Sequence, residues 1–364
     1  MRPFVINKNR IIRMLSSVKG ALLWLNDKDW GLLFRNLSFY SINLISGETE
    51  LIARLPVKGW KRFLCQFRIA NRLFRLEPRS FICFQNGRYL ISVLHKVWCL
   101  NLIEKTLIPV FESRKGFSDN LNFCEHDGNV FWGDYGINVI HEPINIYRMD
   151  ERGKVEVAYT FPQGDVIHVH NIFLNEEKNQ FWVLMGDNES KAGIYKASLD
   201  WNEVTPIKVG NQSYRTVVGF PYKGGLLYAT DSVDYDNHLC LIEKDGTERV
   251  LTPINGSCIY GAETKDFFLF STTVEPRAGA GFKHIFENRL GGGIKSWDVH
   301  IIAVSKKNLT IKIIKKFRKD WMPMVLFQYG RVRFAGGQQE MDSVWCSPVA
   351  CKRYDGKTIK IELH

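Results

Sequence analysis

No two of the eight cysteines in this 364-residue sequence form a CxxC pair, and their spacing is irregular. That excludes the close-spaced zinc and disulfide patterns such pairs write into a chain. Most of them sit inside apolar runs, where free cysteine behaves as a small hydrophobe, and a reducing compartment is the simpler reading. No segment approaches the length of a membrane span, and near the N-terminus the longest apolar stretch, Ala21 to Leu25, is too short for a signal-peptide core. A cytoplasmic location is expected, with peripheral membrane contact left open. There is no GxGxxG behind a strand, no P-loop, no GxSxG, no HExxH and no recognisable nucleic-acid module. Acidic residues are also scarce: 38 against 49 lysines and arginines, for a net charge of +11. That balance favours an anionic partner, whether nucleic acid, an acidic lipid or an acidic glycan, and without a nucleic-acid module nucleic acid is not expected.

What the sequence does contain is a unit that returns seven times. An apolar β-prone run, a charged turn and a second run begin at Phe39, Val97, Ile146, Ile194, Leu239, Val299 and Ala350, 45 to 60 residues apart. Repeats of this size ending in hairpins predict propeller blades, which bury their faces only against neighbours. The fold class is therefore all-β, a seven-bladed β-propeller in a single domain over residues 1–364. The blades fall at about 20–56, 78–114, 121–162, 166–210, 213–253, 256–317 and 321–364. Residues 1–19 read as a basic, partly helical lead-in. The last strand, from Thr358, is placed to pair with an N-terminal strand and close the ring.

Two segments break the pattern. Residues 57–77 read as a basic amphipathic helical insertion between blades one and two, with no acidic residue before Glu77. Trp60, Phe63, Leu64, Phe67, Asn71 and Phe74 fall on one stripe, with Lys58, Lys61, Arg62, Arg68 and Arg72 broadly opposite. Such a helix either lies on an anionic membrane surface or packs on the side of the disc. Residues 275–297 form a glycine-rich loop insertion too long for an ordinary hairpin.

Turns at one register of every blade share a face of the disc, which gathers Asp134, Asp187, Asp231 and Thr273 around one mouth of the central channel. At the start of blade four stands Asp165-Val-Ile-His168-Val-His170-Asn171. Two histidines two residues apart on a strand suit joint ligation of a divalent metal or an acid/base pair. Further ligands would come from Asp134, Asp187, Asp231, Glu263, Glu275 or His126; the other reading is that both rings hydrogen-bond within the channel wall. Arg215 precedes an inner strand, where it suits a carboxylate, sulfate or phosphate, or a salt bridge to Asp187 or Asp231. Tyr228, Tyr135 and Tyr260 are candidate acid/base groups or packing residues, and Glu263 and Glu275 candidate carboxylates.

The run from His168 to Glu275 resembles bacterial BNR-repeat, sialidase-like β-propeller proteins. The resemblance rests on the HxH segment, Gly186-Asp187, Tyr214-Arg215, Tyr228-Ala-Thr-Asp231-Ser232 and Thr272-Thr273-Val-Glu275. Carried over, it implies a carbohydrate-active protein, a glycoside hydrolase or polysaccharide lyase, acting on an acidic saccharide at the channel mouth. It makes His168 or His170 a base or charge neutraliser, Tyr228 an acid and Arg215 a carboxylate clamp, with Glu275 beside them and Asp134, Asp187 and Asp231 binding ligand. The alternative is a non-catalytic scaffold docked at an anionic membrane through residues 57–77.

Overall fold

The computed structural model describes residues 15–85, 87–187, 190–279 and 282–363; most of the lead-in expected over 1–19 lies outside them. Seven antiparallel sheets of four strands, one carrying a short fifth, follow one another along the chain. Blade one is Ala21–Leu25, Trp30–Arg35, Ser38–Asn43 and Thr49–Arg54, and blade two Ser80–Gln85, Arg88–Val93, Lys96–Asn101 and Thr106–Glu112. Blade three is Cys124–His126, Asn129–Gly133, Ile144–Met149 and Val155–Phe161. Blade four is His168–Asn175, Gln180–Gly186, Gly193–Ser198 and Val204–Val209, and blade five Thr216–Tyr222, Gly225–Thr230, Asn237–Ile242 and Glu248–Ile254. Blade six is Cys258–Glu263, Phe267–Thr272, Asp298–Ser305 and Ile311–Arg318. Blade seven takes Arg331–Phe334, Ser343–Val349 and Lys357–Glu362 from the end of the chain and Ser17–Lys19 from its beginning. The ring closure expected of the last strand is present: Ser17 faces Ile359 and Lys19 faces Lys357. Thr358 Oγ1 accepts from Leu22 N and donates to Gly20 O across the same seam.

The second strands explain why the sequence shows continuous apolar runs rather than alternation. In Gln180–Gly186, Phe181, Val183 and Met185 face blade three, while Trp182 and Leu184 face blade five. A strand covered on both sides needs apolar residues at every position. One buried apolar cluster occupies each of the seven seams. The outermost strands, such as Val204–Val209, keep only part of their surface from water and carry Thr, Lys and Glu accordingly.

The 57–77 insertion departs from the single amphipathic helix expected of it. Two short helices form, α1 (Gly59–Leu64) and α2 (Arg68–Leu73), separated by an extended residue at Phe67. The orientation is also the reverse of a basic outward face. Arg72 is buried and paired with Asp320, Arg68 bridges Glu77 and Asp355, and Arg62 donates to the Leu55 carbonyl. The aromatic side chains point to solvent instead. The reason is chemical: blade seven and the link into it offer two carboxylates and the Phe327 carbonyl beneath the segment, and guanidinium groups satisfy them better than rings do.

Glu77 ties this clasp to blade seven through Arg68 and Arg333. Burial pushes its carboxyl up, but Arg68 and Arg333 overcome that and hold it below the usual carboxylate range. A depressed folded-state pKa stabilises the fold above the unfolded value of about 4.3 and loses that contribution as pH falls below it. Glu77→Gln is therefore expected to flatten the fall in urea midpoint between pH 7 and pH 3.5. A variant whose midpoint follows the wild-type curve would contradict this.

Candidate functional site

In each blade the residue that begins the innermost strand and the turn between strands two and three meet at the same end of the channel. In blade four that juxtaposition brings His168, His170 and Asp187 together. His168 pairs with Gly186, Val169 with Met185 and Asn171 with Leu184, so His170 is the extra residue of a β-bulge. The two imidazoles lie side by side, ring centroids 4.8 Å apart, and both are buried. His168 Nδ1 lies 2.7 Å from the Gly136 carbonyl and His170 Nδ1 lies 2.8 Å from that of Thr216. Carbonyl oxygens only accept, so each Nδ1 carries a proton, and Nε2 is the atom that would bear the lone pair of a neutral ring.

Those two Nε2 atoms converge on Asp187, 3.6 Å from Oδ2 and 3.7 Å from Oδ1. The spacing is too long for hydrogen bonds. It is near the separation of roughly 3.4 Å that two donor atoms adopt when each sits about 2.1 Å from a shared tetrahedral ion. His168 Nε2 is buried with no hydrogen-bond partner among the described residues. Burial, countered only partly by Asp187, holds the His168 ring neutral, down to about 4. Burial would raise the Asp187 carboxyl, but it stays below the usual carboxylate range with the Arg215 guanidinium beside it. Two imidazoles and one carboxylate make a ligand set. Gly186 makes room for it: a Cβ there would lie 2.1 Å from His170 Nε2 and 2.8 Å from His168 Nε2.

Arg215 stands beside this group, Nη2 at 2.7 Å from Asp187 Oδ1 and Nε at 3.6 Å from Asp231 Oδ2. Asp231 is buried, and burial raises its carboxyl against the pull of Arg215. Glu275 accepts from Thr273 Oγ1 at 2.6 Å. Burial and the neighbouring Asp231 charge push its carboxyl up to about 7.

The other half of the mouth is cationic. Arg75, Arg79, Arg331 and Arg333 line a cavity of about 230 Å³ together with Tyr260 and Tyr329. Arg333 is satisfied by Glu77 and the Pro78 carbonyl. Arg75, Arg79 and Arg331 have no carboxylate within ion-pair distance among the described residues. Arg331 keeps a buried Nε without a partner. Burial, then the charges of Arg331 and Arg79, lower the affinity of Arg75 for its proton. The Tyr135 ring joins the halves: Arg79 lies 4.3 Å above it, and the His168 ring is 4.6 Å away.

The mouth therefore gathers His168, His170, Asp187, Arg215, Asp231, Glu275 and Tyr135. It does not gather Tyr228, whose ring packs in the seam with blade four and whose hydroxyl donates to Glu248 at 2.9 Å. As one of the residues of a buried second strand, it faces a neighbouring blade rather than the channel. Asp134 shares the register of Asp187, but its carboxylate turns to Arg114, Asn145 N and Tyr147. Glu263 pairs with Lys306 and His126 stacks edge-on against Phe181, both at the far ends of their strands. Arg79, Arg331 and Tyr329 were not singled out from the sequence. A signal existed: Arg79, like Arg215, immediately precedes the innermost strand of its blade.

No protein-family model and no curated protein matches the sequence. Solved structures do. An oligogalacturonate lyase from Vibrio parahaemolyticus superposes with a TM-score of 0.59 at 8% identity, over 95% of this chain and 90% of that one. An oligogalacturonate lyase in complex with manganese gives 0.55 at 9%, over 95% and 90%. The WD40 β-propeller domain of Doa1 gives 0.53 at 10%, over 96% and 97%. At such identities the likeness establishes the propeller and nothing finer.

Proposed function

We propose that the channel mouth binds a divalent cation through His168, His170 and Asp187 and uses it, with the facing arginines, to hold and cleave an acidic saccharide. The carrying observation is the pair of carbonyl-anchored imidazoles whose Nε2 atoms converge on one carboxylate. When bound, the cation would supply charge to a substrate carboxylate and so acidify the adjacent carbon. Arg79 and Arg331, free of carboxylate partners, hold the other side of that carboxylate. Glu275, titrating near neutrality, takes the proton from the carbon next to the carboxylate. The electrons of that C–H bond form a carbon–carbon double bond as the glycosidic C–O bond breaks. The leaving oxygen takes a proton from the phenol of Tyr135. The products are a shortened saccharide and an unsaturated uronate, with no oxidant or water consumed. The oligogalacturonate lyases among the fold neighbours make oligogalacturonate the first substrate to try.

Isothermal titration with Mn²⁺ should show one site, lost in His168→Ala and His170→Ala. With oligogalacturonate and a panel of other uronates, turnover read as the ultraviolet absorbance of the unsaturated product should depend on added cation. In the wild type the rate should rise with pH through about 7 as Glu275 ionises, and Glu275→Gln should lower it by at least about 100-fold. Cation binding without turnover on any uronate would remove the lyase step and leave a cation-dependent binding protein. Absence of cation binding would overturn the proposal.

A further inference from the structure

Among the described residues, nothing covers the apolar side chains of the clasp. Trp60, Phe63, Phe67, Ile69, Leu73 and Phe74 are between 39% and 61% exposed. They are neighbours in space: the Trp60 and Phe74 rings meet edge-on at 6.1 Å, and those of Phe63 and Phe67 at 5.4 Å. A monomer rarely leaves so many large rings together in water without a use for them. Nor are they free to turn inward. Arg72 beneath them is buried against Asp320 and the Phe327 carbonyl, and Arg68 is held by two carboxylates. Rotation of α2 would expose those charges' partners and break a buried ion pair, and Arg62 ties α1 to the Leu55 carbonyl.

Charge selects the occupant. No acidic residue lies between Leu55 and Leu76. Lys58, Lys61 and Arg75 border the rings, and none of them pairs with a carboxylate among the described residues. The Lys61 ammonium lies 5.6 Å over the Trp60 ring. Exposed tryptophan and phenylalanine rimmed by unpaired cations are what a water–lipid boundary with anionic headgroups accepts. The patch also adjoins the mouth: Phe74 and Leu94 line both the arginine cavity and the groove under Trp60. We infer that the clasp docks the protein on an anionic lipid bilayer, with the rings inserted and the channel mouth turned toward the bilayer surface.

The test is co-sedimentation with vesicles of phosphatidylcholine alone or mixed equally with phosphatidylglycerol. The wild type should bind the mixed vesicles at least about tenfold more tightly, since each basic side chain near such a surface contributes about 1 kcal/mol. The triple variant Trp60→Ser, Phe63→Ser, Phe67→Ser should lose about 100-fold in affinity, since inserted aromatic side chains carry most of it. Lys58→Ala with Lys61→Ala should weaken binding to the mixed vesicles and reduce its salt dependence. All these side chains lie on the surface, so circular dichroism and Mn²⁺ titration should stay as in the wild type, which keeps this test separate from that of the cation site. Failure of the wild type to bind mixed vesicles, or equal binding by the triple variant, would overturn the inference. So would sedimentation velocity showing that the rings instead join two copies of the chain, with no vesicle binding.

Discussion

Gly186→Ala is expected to abolish cation binding while leaving a folded propeller. The added methyl group would stand 2.1 Å from His170 Nε2 and 2.8 Å from His168 Nε2, far inside contact distance. Neither ring can withdraw cheaply, because each is fixed through Nδ1 to a backbone carbonyl of a neighbouring blade. Moving a ring would strand a buried N–H and a buried C=O, a loss of about 1–3 kcal/mol for each group. The methyl group therefore occupies the position a metal ion needs or drives the two Nε2 atoms apart. Cation affinity should fall by more than about 100-fold, beyond the 10- to 100-fold expected of an outer-shell change. Overpacking adds about 1–3 kcal/mol to that loss, confined to the channel mouth, so circular dichroism should still report the wild-type sheet content. Retention of wild-type Mn²⁺ affinity in this variant would exclude the convergence of His168 and His170 on a common ion.

Asp320→Ala should be among the most destabilising substitutions of a carboxylate in the chain. Asp320 receives Arg72 from the clasp and Lys319 from its own strand end, and it also accepts from Met322 N. Arg72 has 2% of its side chain exposed and Lys319 none. Removing the anion leaves two buried cations against each other, with only the more distant Asp355 beside Arg72, at 3.5 Å. Breaking a buried pair from one side costs about 3–5 kcal/mol, far more than deleting a surface partner. Chemical denaturation should show a loss in that range, and the clasp should become sensitive to protease before the blades do. A change below about 1 kcal/mol would mean that water reaches the pair and that the clasp is held by its apolar contacts alone.

The blades were legible because a strand packed on both faces has a composition no exposed strand shares. The run Phe181-Trp-Val-Leu-Met carries that mark, and so does Leu226-Leu-Tyr-Ala. The same rule hid the fate of Tyr228: within a seam, a hydroxyl can reach an outer-strand glutamate without being near the channel. The HxH pair was visible as a spacing, but its meaning depends on Gly136 O and Thr216 O, two carbonyls that no side-chain pattern records. The arginine half was illegible for a related reason. Arg75, Arg79 and Arg331 come from segments some 250 residues apart in sequence, and only ring closure makes them neighbours. The clasp misled because periodicity tells which residues share a stripe, not which stripe faces in. Two carboxylates decided that, Asp320 in the link into the last blade and Asp355 in that blade's final hairpin.

The strand Ser17–Lys19 has a consequence for how the molecule is made. It completes a sheet whose other three strands are synthesised after the other six blades, so its partner does not exist until residues 357–362 have been translated. Until then six blades stand as an arc with a bare face at each end, Leu22, Leu33 and Ile42 at one and Leu269, Ile301 and Ala303 at the other. Nascent chains of this protein should therefore be chaperone clients late in synthesis, and their solubility should change abruptly once the last strand emerges.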